Sequence, residues 1–203
     1  MLGSHCQFFN KIPTIKLQDD LASLLGAFED GVIEYSYLDS VKSAGHSCPT
    51  VLGAYLMTLK GLEALYENEI PKRGEIIVEF KEAQNLGVAG VIGNVIMNIT
   101  GATTTNGFKG LAGKYDRNHL MKFEKDINGA NVRFTRIDTL KSVDVFYDAS
   151  SIKPHEDMNF LMQKSLQGNA TNEEKKEFAK LWQKRVEDIS NNINEVIKID
   201  IKE

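Results

Sequence analysis

The chain has 203 residues, 42% hydrophobic and 26% charged, with Lys+Arg 24 against Asp+Glu 28 and a formal net charge of −4. That balance excludes disordered, collagen-like and low-complexity classes and offers no whole-chain field that would attract nucleic acid or an anionic membrane. Two cysteines, Cys6 and Cys48, are too few for a disulfide framework, so reduced thiols in a cytoplasmic protein are expected.

Leu17, Leu21, Leu24, Leu25 and Phe28 recur at helical spacing, and Gly31 follows where a helix commonly stops, so a first amphipathic helix is predicted there. Val32 to Tyr37 reads as a short strand and Leu38-Asp39-Ser40-Val41 as a helical turn. Gly45-His46-Ser47-Cys48-Pro49 then leads into Val51, Leu52, Tyr55, Leu56, Leu59, Leu62 and Leu65, a long helix with Pro49 in its first turn. Ile76 to Phe80 reads as a strand.

Val88 to Ile99 is apolar, long and closed by Gly101, which favours a helix over a buried strand. Gly90, Gly93, Asn94 and Asn98 interrupt it, and it is too short to cross a bilayer. Phe8-Phe9 gives way at once to Asn10-Lys11, unlike the apolar core of a signal peptide, so no membrane association is expected. Leu120 to Phe123 and Val132 to Ile137 flank Asn128-Gly129 and are predicted to form a hairpin; Val143 to Tyr147 adds a strand. Met158, Leu161, Met162 and Leu166 mark one later helix, and the Thr171/Glu174 capping box opens another through Phe178, Leu181, Trp182 and Ile189. The stripe of that last helix is read as core or dimer contact. These elements predict a main domain over residues 1–150 and a helical appendage over 151–203, packed on the domain or on a second copy of the chain.

His46 and Cys48 carry the clearest chemistry. An imidazole and a thiol two residues apart can reach one ion, and a helix N-terminus behind a thiol favours its thiolate. Alone, a His-x-Cys pair is as compatible with a small buried cysteine and a hydrogen-bonded histidine. Thr103-Thr104-Thr105 and Asn106 form a polar loop whose hydroxyls suit either a small ligand or helix-end backbone groups. Dinucleotide, Walker and Gly-x-Ser-x-Gly templates are absent.

Gly45-His46-Ser47-Cys48-Pro49 with the following Leu52-Gly53, then Gly93-Asn94-Val95-Ile96-Met97-Asn98-Ile99-Thr100-Gly101-Ala102-Thr103, then Asn106-Gly107-Phe108 and Gly113-Lys114, stand in an order and spacing that resemble the FmdE-like family of formylmethanofuran dehydrogenase proteins. The resemblance runs from about Leu38 to Ile137. It implies an FmdE-like α+β fold with an antiparallel sheet packed against helices, a homodimer, and a transition metal, usually zinc, near the His-x-Cys segment. His46 and Cys48 match the first two family positions. Ala102 stands where the family has a cysteine, Asn94 where it has an aspartate, and Thr50 where it has a glycine.

The functional expectation is therefore a pocket around His46 and Cys48 for a metal or metal-containing cofactor, with redox or group-transfer chemistry. Asn94, Thr103, Thr104 and Lys114 are its expected pocket residues. Cys6, His119 and His155 are the available additional ligands, because zinc sites normally use three or four protein donors. The alternative is a non-catalytic accessory or sensor module with a degenerate metal site. Noncovalent haem remains open, although no Cys-x-x-Cys-His occurs for covalent attachment. The expected partners are a small-molecule ligand or cofactor and a second copy, with no nucleic acid.

Overall fold

The computed structural model of the chain describes residues 6–202. After a 3-10 turn at Gln7–Lys11, the elements are β1 (Ile15–Gln18), α1 (Asp20–Leu24), β2 (Val32–Tyr35), α2 (Tyr37–Ala44), α3 (Pro49–Tyr66), β3 (Ile76–Phe80) and α4 (Ala89–Thr100). They continue with β4 (Met121–Lys122), β5 (Val132–Arg136), β6 (Ser142–Tyr147), α5 (Met158–Leu166), α6 (Asn172–Asn191), α7 (Ile193–Val196) and β7 (Ile197–Lys202). Strands β1 and β2 form a separate antiparallel ribbon, while the main sheet runs β4-β3-β5-β6-β7. The fold is α+β, and every pairing in the main sheet is antiparallel except β3 with β4.

Helix α3 forms the centre of the core. Val51, Leu52, Tyr55, Leu56 and Met57 are wholly buried, so this helix is apolar nearly all round, as a helix covered on several sides must be. Its Gly61 faces the rings and methyls of Phe134 and Val145 on β5 and β6, and Gly53 faces the ring of Tyr147. The missing side chains let the helix lie close against the sheet. One sheet face therefore buries Ile76, Val78, Phe80, Val132, Phe134, Val143 and Val145 against α3. The polar row beside it carries Arg133, which grips Asp144 through Nε and Nη2 at 2.5 and 2.8 Å.

Three sequence expectations change in the folded chain. The predicted helix through Leu17 and Phe28 is instead β1 followed by the five-residue α1. Leu17 is buried opposite Ile33 in the ribbon, whereas Leu24, Leu25 and Phe28 are exposed, so the apparent stripe does not face one core. Asp19 decides the break: its carboxylate accepts from the amides of Leu21 and Ala22, starting α1 only after Leu17.

The Asn128-Gly129 turn exists, with φ of 55° and 82°, but the flanking strands do not pair with each other. Strand β4 joins one edge of β3 in parallel and β5 joins the other edge antiparallel. The apolar β3 is thus satisfied on both edges. Finally, the C-terminal segment does not end as a helical extension: β7 pairs with β6 from Ser142↔Lys202 to Tyr147↔Ile197 and completes the sheet. The expected strand at β3 and the helices α3 and α4, with Gly101 left-handed at the end of α4, are present. The Thr171/Glu174 capping box of α6 is also formed.

Candidate functional site at the turn between α2 and α3

Helix α2 is started by Ser36 and Asp39, which cap one another's backbone, and stopped by the left-handed Gly45. Three residues later Cys48 caps α3, its Sγ accepting the Val51 amide at 3.4 Å, with Pro49 in the first helical position. His46 and Ser47 are held in the short turn between these two caps. Ser47 Oγ lies 2.9 Å from the buried Tyr37 hydroxyl, and its carbonyl accepts from Trp182 Nε1 at 2.9 Å and Gln183 Nε2 at 3.3 Å. Helix α6 is thereby tied to this turn across 135 residues of sequence.

The His46 ring is exposed, and its Nδ1 lies 3.0 Å from the Ala44 carbonyl. A carbonyl only accepts, so in the neutral ring the proton sits on Nδ1 and Nε2 keeps its lone pair. His46 lines two grooves. One, of about 420 Å³, runs along α4 past Ser43, Val91, Asn94, Met97 and Asn98. The other, of about 530 Å³, lies against α5 and α6 and is walled by Met162, Leu166, Phe178, Ala179 and Trp182. Its lining is mainly apolar, with Ser47, Ser165 and Gln183 as its neutral polar members.

Of the expected pocket residues, Asn94 is brought beside His46. Thr103, Thr104 and Lys114 are elsewhere, in the loop system after α4. Thr103 donates its amide and its hydroxyl to the Arg117 carbonyl, so its polar groups serve the loop. Thr104 makes a 3.4 Å contact with Asn106, and its carbonyl accepts from the His119 amide. Lys114 is exposed in a tight turn doubly bonded to Leu111 through the backbone. His119 is exposed, and His155 accepts the Asp157 amide at the start of α5.

Cys6 is half-buried against the core. Nearby, burial raises the pKa of the Tyr37 phenol, with the Ser47 hydrogen bond opposing. Ala102 is wholly buried in the hydrophobic core. Among the described residues, no three His, Cys, Asp or Glu side chains converge as a metal-ligand set. Within those residues, His46 and Cys48 have no third protein donor grouped with them of the kind a tetrahedral zinc site uses.

A second polar centre has no counterpart among the sequence expectations. Asp19, 3% exposed, accepts from Arg73 Nη1 at 2.9 Å and Arg117 Nη2 at 2.8 Å. Burial by itself would raise its pKa, but the Arg73 hydrogen bond, the Arg117 charge and the Ala22 amide hold the carboxyl below its ordinary value. Arg73 also donates to the Ile99 and Asn98 carbonyls, capping the end of α4. Gly74 and Gly101 leave the space that the two guanidinium groups fill. No local motif announces this triad, because its members lie 54 and 98 residues apart.

No helix among the described residues is long and apolar enough to cross a membrane. No curated protein matches the chain. The model of the family described as FmdE, molybdenum formylmethanofuran dehydrogenase operon, matches residues 44–198, beginning just before the His46 turn and reaching through α6 into β7. With that span covering most of its length, the chain belongs to the FmdE family.

Proposed function

We propose that this FmdE-family chain is a binding protein for a metal-containing cofactor held at the α2–α3 turn, with His46 as its polar anchor. The supporting observation is the His46 ring itself: Nδ1 is engaged by Ala44, and Nε2 is left as an acceptor between two grooves. Hydrogen bonding at one imidazole nitrogen is the usual way a protein fixes the other as a ligand. The donor set favours a cofactor that brings most of its own ligands, since the described residues place too few donors together for a bare ion. Cys48 supports the turn by capping α3 and is the nearest thiol in sequence to the anchor.

Purification without a metal-affinity step, followed by absorption spectroscopy and elemental analysis, tests this reading. A transition metal near one per chain that is lost in His46→Ala supports it. Metal-free, colourless protein that takes up neither metal ions nor metal complexes overturns it. Cys48→Ser separates the role of the thiol: serine also caps helices, so the variant is expected to fold and reveal whether sulfur is needed for binding.

A further inference from the structure

We propose that the occupant of the groove between the His46 turn and helices α5 and α6 is a planar, carboxylate-bearing metal macrocycle of the haem type, with His46 Nε2 as its axial ligand. This rests on the cofactor-binding reading above and names the ligand class.

Three independent features of the groove converge on that class. First, among the described residues His46 offers one imidazole with no converging set of other donors, which suits a metal that brings its equatorial ligands with it, as in a tetrapyrrole. Second, the walls suit a flat apolar body. Phe178 and Trp182 stand on successive turns of α6 with ring centroids 5.7 Å apart and an interplanar angle of 50°, and Met162 and Leu166 face them from α5. About 530 Å³ is within the size range of small-molecule sites, and Leu166 is 76% exposed, an apolar side chain without cover.

Third, charge is placed where a carboxylate tail would emerge. Lys175 precedes Phe178 by three residues, Ala179 by four and Trp182 by seven, so it continues the groove-lining stripe of α6 toward solvent. Lys175 is exposed and has no ion-pair partner among the described residues, unlike Lys164 of α5, which pairs with Glu174. The indole and amide bonds to the Ser47 carbonyl fix the spacing between the aromatic wall and the histidine turn.

Trp182 is the single tryptophan, so its fluorescence reports occupancy of this groove directly. The full chain is titrated with haemin, with metal-free protoporphyrin and with zinc ion alone. Haemin is expected to quench Trp182 at about one equivalent and to give the Soret band of an imidazole-ligated iron. In His46→Ala, checked for folding by circular dichroism, that band is lost and added imidazole restores it. Lys175→Glu is expected to weaken haemin binding by about fivefold, as for loss of an exposed ion pair, in a salt-dependent way.

A haemin spectrum identical in wild type and His46→Ala overturns the axial assignment, and unchanged affinity in Lys175→Glu overturns the carboxylate contact. If neither haemin nor protoporphyrin quenches Trp182, the ligand class is wrong. In that case zinc uptake lost in His46→Ala leaves the broader metal-binding reading standing, whereas no uptake of any probe removes both.

Discussion

Asp19 shows how much one side chain can organise. It caps α1, holds two arginines, and joins the β1 end to the C-terminus of α4 through Arg73. Removing one member of a buried ionic group leaves the others uncompensated, at a cost of about 3–5 kcal/mol. Asp19→Ala is therefore expected to lower the urea midpoint strongly, and a loss under about 1 kcal/mol would show that water replaces the carboxylate. The sign of the pH effect follows from the lowered folded pKa of Asp19: its contribution is complete above the ordinary carboxylate value and is lost as pH falls through the lowered one. Acid titrations of stability should show a shallower decline below pH ~4 in Asp19→Asn than in the parent. At the α2–α3 turn, Trp182→Phe keeps an aromatic ring on α6 but removes the donor to Ser47. It is expected to cost about 0.5–1.5 kcal/mol by denaturation, the scale of one hydrogen bond.

At the scale of elements, the approach of α3 to the sheet depends on small residues. A Cβ at Gly61 would stand 2.7 Å from the Phe134 ring, and one at Gly53 would run into that of Tyr147. Gly61→Ala is expected to destabilise by about 1–3 kcal/mol despite alanine's better helix propensity, because the ring must move within a packed core. Thermal melts would check this, and an unchanged midpoint would mean that the ring repacks freely. The Thr171 cap offers a contrast: Thr171→Ala is expected to cost about 0.5–2 kcal/mol and to raise amide exchange first in the opening turn of α6.

Elements with a local signal are legible in the sequence. Helix α3 shows Pro49 and a dense apolar face, α4 ends at Gly101, and α6 opens at its capping box. The first helix is not legible, because Leu17 and Leu21 have helical spacing but lie on opposite sides of the Asp19 break. Nor is the pairing around Asn128-Gly129, where turn chemistry indicates a reversal of the chain without specifying which strand edge receives the next segment.

For the whole molecule, the last residues matter more than a terminal helical appendage would suggest. Strand β7 covers the outer edge of β6 along six paired positions, and α6 meets the α2–α3 turn through Trp182 and Gln183. Truncation after Val196 should expose that edge of β6 and lower the melting temperature by several degrees or more, with increased aggregation. A truncated chain that melts with the parent would show that β7 is dispensable. The family match includes the same C-terminal segment up to residue 198, well beyond the motifs that carry the resemblance.

The sequence by itself determined the family, through the order of its Gly-His-Ser-Cys-Pro and Thr-Gly-Ala-Thr segments, and the positions of the long helices, through periodicity and caps. Both are written in residues close along the chain. Tertiary structure alone decided that Asn94 joins His46, that Thr103, Thr104 and Lys114 serve a different loop system, and that α6 supplies the aromatic wall. It likewise assembled Asp19 with Arg73 and Arg117. These placements depend on which surfaces the core brings together, and residues separated by half the chain leave no common spacing from which that meeting can be read.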